Sequence, residues 1–317
     1  MSSEPNRIKL TRETWKGPWA GLPVAWTNDD TIDEKLYRQD VASCCTAGVP
    51  GVYTGGTTGE FYAMDFSEFC QVARVTIEIC HSHGKPAMIG CTSTYTRGVQ
   101  KRAAFAAECG ANAIQVSLPY WLEMSSEQIV PFFQDVSAAA GGLPLSIYDI
   151  TRSKRPLSVD EHRAVHEALP NYLMVKSGAK TTGSTIEGCA ALSKFVNVFV
   201  GESLWSELGP HGAIGCCSAM VYWNPRIVLA CWNFLEKNDW RNLKECTQPL
   251  EKLHAFLLKH FGAKGFSDTS YDRLGGRAGG FLKTSLRCRA PYLAPTEQDV
   301  AELQRWYREH CPEMLEI

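Results

Sequence analysis

Lys176 and Tyr148 are the residues of this sequence whose types and setting could carry covalent chemistry. The run from Leu143 to Tyr148 reads as a short buried strand, Tyr172 to Lys176 as the next, and Ser158 to Leu169 as a polar helix between them. Two parallel strands joined by a helix run the same way, so Tyr148 and Lys176 are expected to emerge as neighbours at one end of a sheet. An ammonium at the tip of an apolar strand needs a partner, a solvated end, or a reason to lose its proton. Each residue also has a plainer role, the lysine as a solvated strand cap and the tyrosine as a buried ring whose hydroxyl finds a carbonyl.

The elements that would position this pair extend over most of the 317 residues. Strands are expected at Gly21–Thr27, Gly51–Tyr53, Pro86–Cys91, Ala111–Leu118, Leu143–Tyr148, Tyr172–Lys176, Val196–Val200 and Ala213–Ala219, alternating with helices. That pattern predicts a closed (β/α)8 TIM barrel, an α/β fold. The glycine-rich turn from Thr54 to Glu60 has neither the GxGxxG spacing nor the Gly-Lys-Ser/Thr ending of a nucleotide loop, which favours closure over an open doubly wound sheet. Beyond Trp223 only helical spacing remains, over Ile227–Glu236, Leu243–Phe261, Gly276–Arg287 and Thr296–His310. The expected organisation is an N-terminal arm over 1–18 packed on the barrel's bottom, a barrel over 19–235 and a C-terminal helical segment over 236–317.

Composition narrows the partners. The net charge of -2 gives no footprint for nucleic acid, and no apolar run is long enough to span a membrane. Thirteen cysteines with no secretory leader point to reduced thiols and a cytoplasmic setting. Cys44-Cys45 and Cys216-Cys217 read as packing, and His81-Ser82-His83 as a solvated helix end rather than a metal site. In a barrel the active site lies at the C-terminal strand ends. Thr57 and Thr58 follow the second strand, Tyr120 and Trp121 the fourth, Tyr148 the fifth, Lys176 the sixth, and Gly201-Glu202 the seventh.

Those residues carry a resemblance. The motif Gly56-Thr57-Thr58-Gly59-Glu60, the strand-end Tyr148 and Lys176, and Gly212-Ala213-Ile214-Gly215 closely resemble the dihydrodipicolinate synthase and N-acetylneuraminate lyase family. The resemblance implies a Schiff-base lyase acting on pyruvate or a substituted 2-oxo acid, with no cofactor and no metal, and a homotetramer. Lys176 would attack the ketone, and the iminium would draw electrons from the next carbon. Tyr148 would shuttle the proton. Thr57, Thr58 and the turn at Gly56 would hold the carboxylate, and Cys217 would touch substrate without reacting. A nucleophilic Lys176 needs a lowered pKa, and Met174 and Val175 beside it suggest a poorly solvated site that lowers it. Glu60 reads as a structural acceptor.

Departures from the family pattern bear on the substrate. Where the synthase of lysine biosynthesis carries Tyr-Asn-x-Pro-x-Arg, this chain reads Tyr148-Asp149-Ile150-Thr151-Arg152-Ser153, and Trp121 stands where a second active-site tyrosine is expected. These differences argue against that synthase. Trp121, the Phe266-Ser267 segment and Arg289-Ala290-Pro291-Tyr292 look more like the hydratase-aldolases that cleave aryl-substituted benzylidenepyruvates. Trp121 would then wall an aromatic or hydrophobic aldehyde portion, and Arg152 could pair a second carboxylate. The alternatives are a 2-keto-3-deoxy sugar-acid aldolase or dehydratase, and a family member that binds a 2-oxo acid without turnover.

Overall fold

The computed structural model describes residues 8–316. The elements run β1 (Gly17–Gly21), α1 (Glu34–Thr46), β2 (Val52–Thr54), α2 (Phe66–Ser82), β3 (Ala87–Gly90), α3 (Thr96–Glu108), β4 (Ala113–Val116), α4 (Ser126–Ala139), β5 (Leu145–Asp149), α5 (Val159–Ala168), β6 (Tyr172–Ser177), α6 (Ile186–Leu192), β7 (Asn197–Phe199), α7 (Trp205–Leu208) and β8 (Ala213–Ser218). The strands are parallel and close in sequence order, with β8 returning to β1 through Gly17 opposite Gly215 and Trp19 opposite Cys217. This is the expected TIM barrel. It is followed by α8 (Met220–Trp223), α9 (Pro225–Glu236), α10 (Trp240–Phe261), α11 (Asp268–Gly279) and α12 (Glu297–His310).

Two cores hold the barrel. Outward strand residues such as Val52, Ile89, Ile114, Ile147, Val175 and Val198 pack under the helices in one large apolar shell. Inward residues Trp19, Tyr53, Met88, Met174 and Phe199 fill the lumen as a second cluster. Lumen packing is tight enough that a Cβ on Gly215 would lie 2.5 Å from the Phe199 ring, so only glycine fits there. Residues between 8 and 16, before β1, stopper the bottom of this lumen. Trp15 is fully buried beside Trp19, and Asn197 Nδ2 at the start of β7 donates to the carbonyls of Arg12 (2.7 Å) and Trp15 (2.8 Å).

Helix starts follow the sequence signals. Asp33 accepts from the amide of Leu36, while Asp65 with Glu68 and Ser158 with Glu161 form reciprocal capping boxes. Two expectations are corrected. The first strand is Gly17–Gly21 and not Gly21–Thr27, so it begins inside the span expected of the arm. The apolar run Leu22–Trp26 is buried, but Pro23 has no N–H for a ladder, and the Val24 carbonyl is taken by Arg273 from α11 instead. The helix expected over Gly276–Arg287 lies at Asp268–Gly279, begun by the Ser267 capping box and ended by Gly280 at φ +85°. The irregular chain beyond it is tied to the barrel by Asp40, whose carboxylate accepts from the amides of Lys283 and Thr284 at 2.9 Å each.

The α5 capping box matters because this helix joins the strands of Tyr148 and Lys176. Glu161 is paired with Arg155 at 2.8 Å and accepts from Ser126 and the Ser158 amide. The Arg155 hydrogen bonds come first among the causes that hold its carboxyl down to about 2. A depressed carboxylate stabilises the fold above its unfolded value near 4.5 and loses that contribution as pH falls toward 2. Glu161→Gln is expected to cost about 1–2 kcal/mol at neutral pH, after allowance for solvent screening, and little near pH 2. Urea unfolding of both proteins across that range checks it, and equal losses at both ends would refute the assignment.

Candidate active site

Tyr148 and Lys176 are register partners on β5 and β6, so the two side chains leave the barrel mouth together. Lys176 Nζ stands 4.0 Å from the centre of the Tyr148 ring and 5.3 Å from that of Tyr53, which rises from β2. An ammonium over two ring faces is favourably held where water is scarce. Met174 and Val175 are fully buried, as the sequence suggested. The effect on the amine is nevertheless the reverse of the expected one. Burial pulls the ammonium down, but the Tyr148 phenol, the Cys217 thiol and the Asp268 carboxylate together outweigh it, and the net direction is upward. In the resting protein Lys176 is therefore held as a cation and must pass on a proton before it can attack a carbonyl.

The glycine-rich turn is shaped by backbone contact. Gly55 has φ +77°, and a Cβ there would lie 2.6 Å from the Gly90 carbonyl at the end of β3. Gly56 leaves room for the Tyr53 hydroxyl, which a Cβ would meet at 2.2 Å. The turn brings Thr57 Oγ1 to 3.4 Å from the Tyr148 hydroxyl. Thr58 Oγ1 donates to Asp272 Oδ2 of α11 at 2.5 Å, and its carbonyl accepts from Thr269 Oγ1. Glu60, at φ +53°, anchors the turn as the acceptor expected of it. It takes Arg289 N at 2.8 Å, Trp26 Nε1 at 2.6 Å and the fully buried Arg273 guanidinium at 2.5 Å.

Above Tyr148 opens a cleft of about 230 Å³. Phe61, Tyr62, Tyr120 and Tyr292 line it with Thr57 and Tyr148, and the rings meet edge to face, Phe61 with Tyr120 at 6.0 Å and Tyr62 with Tyr292 at 4.8 Å. Arg152 lines the same cleft, but its guanidinium is engaged by both oxygens of Asp268, at 2.8 and 2.9 Å. The loop carrying Arg152 is pinned by Asp149, which accepts from Leu157 N at 3.1 Å. Trp121 does not form the expected wall. It is 75% exposed and lies outside the cleft, while its neighbour Tyr120 faces in. Pro119 to Met124 form no regular element, so sequence periodicity could not set which ring points inward.

Thus Lys176, Tyr148, Thr57, Thr58 and Gly56 come together, and Cys217 lies on β8 close enough for the Lys176 ammonium to act on its thiol. Sequence reasoning missed Phe61 and Tyr62, and it missed Asp268, Asp272 and Arg273. The capping pattern at Ser267 was the available signal for a helix that would aim these three acids and bases at the barrel mouth.

Comparison with known proteins fits this geometry. Residues 16–307 match the model of the dihydrodipicolinate synthetase family. The chain belongs to that family. This dihydrodipicolinate synthetase family member is 26% identical over 285 residues to the 4-hydroxy-tetrahydrodipicolinate synthase of Agrobacterium fabrum, covering 89% of this chain and 94% of the other. Among solved structures, PhdJ bound to a substrate intermediate superposes with a TM-score of 0.83 at 22% identity, covering 97% and 98% of the two chains. YagE from Escherichia coli K12 in complex with pyruvate gives 0.82 at 18% identity, covering 93% and 98%. The family is one of class I, pyruvate-dependent Schiff-base lyases.

The Glu60–Arg273 pair binds the glycine-rich turn of this family member to its C-terminal helices, and both side chains are fully buried. Arg273→Met leaves the Glu60 charge without its main partner, and a loss of about 3–5 kcal/mol is expected in denaturant unfolding. A loss under about 1 kcal/mol would show that the pair does not hold the turn.

Proposed function

We propose that this protein is a Schiff-base lyase, an aldolase or hydratase-aldolase, acting on pyruvate extended at C3 by an aromatic or hydrophobic aldehyde portion. The observation that carries this reading is the Lys176 amine against the ring of Tyr148, which itself lines a cleft walled by four further aromatic rings. Family membership supports the imine chemistry, and the likeness to PhdJ is consistent with the branch. Thr57, Thr58 and the turn at Gly56 hold the carboxylate of the 2-oxo acid in the same reading.

The steps follow from these positions. Lys176 passes a proton to the Tyr148 oxygen as that phenol hands its own on to water, and the free amine adds to the C2 ketone. Tyr148 then protonates the departing hydroxyl, so that water leaves and an iminium and a phenolate remain. In cleavage, Tyr148 takes the proton of the C4 hydroxyl, the C3–C4 electron pair moves into the iminium, and an aldehyde departs. Protonation of the resulting enamine at C3 and addition of water to the imine return pyruvate and free Lys176. In the hydratase sense, water first adds at C4 of a benzylidenepyruvate to make that hydroxyl. The rings of Phe61, Tyr62, Tyr120 and Tyr292 offer an apolar aldehyde portion edges and faces to pack on, whereas a polyhydroxylated arm would find few partners among them.

Borohydride reduction in the presence of pyruvate is expected to add a reduced pyruvyl group to Lys176 in wild type and none in Lys176→Ala. A protein that binds the keto acid without turnover through an imine would give no adduct, and that result would end the reading. Tyr148→Phe is expected to lower turnover by ~10²–10⁴ while adduct formation slows. Retro-aldol rates on a hydroxybenzylpyruvate and on a 3-deoxy-hexulosonate separate the substrate classes. Faster cleavage of the sugar acid would transfer the assignment to the sugar-acid aldolases.

A further inference from the structure

Thr58 has one hydroxyl proton, and in this structure it goes to Asp272 Oδ2 at 2.5 Å. Asp272 is 9% exposed, sits on the second turn of α11, and has its main-chain carbonyl fixed by Trp223 Nε1 at 3.0 Å. On the reading above, Thr58 also faces the carboxylate of a 2-oxo acid. One hydroxyl proton cannot serve two carboxylates, and two anions across a single oxygen repel at short range in a poorly solvated site. The fully buried Tyr222 hydroxyl, from α8, borders both Thr58 and Asp272, and its single proton can go to only one of them.

We propose that Asp272 is a positioning residue that works as the neutral acid, donating its proton to Thr58 Oγ1 so that the Thr58 hydroxyl is free to bind the substrate carboxylate. The inference rests on the assignment of the keto-acid carboxylate to the glycine-rich turn. Burial is the first cause raising the Asp272 carboxyl, the Asp268 carboxylate adds to it, and the Thr58 and Tyr222 hydroxyls and the Lys176 ammonium oppose it. The balance pushes the group up to about 7. The groups around it are Thr58 from the turn after β2, Tyr222 from α8, Lys176 from β6 and Asp268 on its own helix. Glu202, beyond β7, and His254 of α10 line the cavity of about 340 Å³ on its far side. An arriving anion favours the neutral acid further, so binding of the keto acid takes up a proton once pH exceeds the resting value. Affinity should be level below about pH 7 and weaken by up to about tenfold per unit above it.

The test compares wild type with Asp272→Asn, whose amide donates to Thr58 at every pH. The readout is the pyruvate concentration that half-saturates borohydride trapping on Lys176, measured from about pH 6 to 9 by intact mass. Titration of Lys176 acts on both proteins, so the ratio between them isolates Asp272. The expected result is equal half-saturation near pH 6 and a 10- to 100-fold advantage for Asp272→Asn near pH 9, with the advantage gone in a Thr58→Val background. Asp272→Leu, with no donor, should weaken pyruvate at every pH. Superimposed profiles for wild type and Asp272→Asn, or an asparagine variant as weak as leucine at low pH, would overturn the proposal while leaving the lyase reading in place. No adduct on wild-type Lys176 at any pH would overturn both.

Discussion

An ammonium resting on the face of a tyrosine, over a lumen filled by Trp19, Tyr53, Met174 and Phe199, is the constraint that organises this molecule. A cation in such a place must be compensated by groups that do not quench its chemistry. A carboxylate in direct contact would fix the proton permanently. Ring faces and a phenolic oxygen hold the charge while leaving the proton a route to Tyr148. The packed lumen below keeps the amine from retreating, and β5–β6 pairing fixes the spacing of the two side chains without any help from loops.

The barrel alone does not make the site. α11 contributes Asp268 to the ion pair with Arg152, Asp272 to Thr58, and Arg273 to Glu60, so three of its first six residues reach across to the loops above β2 and β5. Each contact has a different strength. The Arg152–Asp268 pair is about half exposed and contributes little to stability, on the order of 0–1 kcal/mol. The Glu60–Arg273 pair is fully buried and its disruption is costly. The helix is thus firmly seated at its buried face and loosely tied at the cleft mouth, an arrangement in which the glycine-rich turn stays rigid while the rim can rearrange.

These differences in burial explain what could be read from the sequence. Seven of the strands were legible because apolar runs of about three to eight residues bounded by glycine, proline and helix caps have few other solutions. Tyr148 and Lys176 were legible for the same reason: strand connectivity turns sequence distance into spatial neighbourhood. The first strand was displaced because Leu22–Trp26 is as apolar as a strand, its burial being supplied by α11 some 250 residues away rather than by sheet pairing. Trp121 was misread because an irregular loop carries no period that says which ring faces in. The acids of α11 were invisible for a different reason. Their meaning comes from Thr58, Glu60 and Arg152, contacts between distant segments that no local pattern announces.

The cleft's chemistry follows from which of its cations are already engaged. Arg152 is the guanidinium at the mouth that could greet a second carboxylate, yet both of its terminal nitrogens are occupied by Asp268, and any anion approaching it also meets that aspartate's charge. On the proposed function Lys176 is reserved for the ketone. What remains for the distal part of a substrate is ring surface from Phe61, Tyr62, Tyr120 and Tyr292, held in mutually perpendicular pairs that leave edges and faces exposed to the space between them. An apolar arm gains contact there without disturbing any ion pair, while an anionic arm must first part Arg152 from Asp268. Selectivity in this site is therefore set as much by the acid that occupies the arginine as by the aromatic walls themselves.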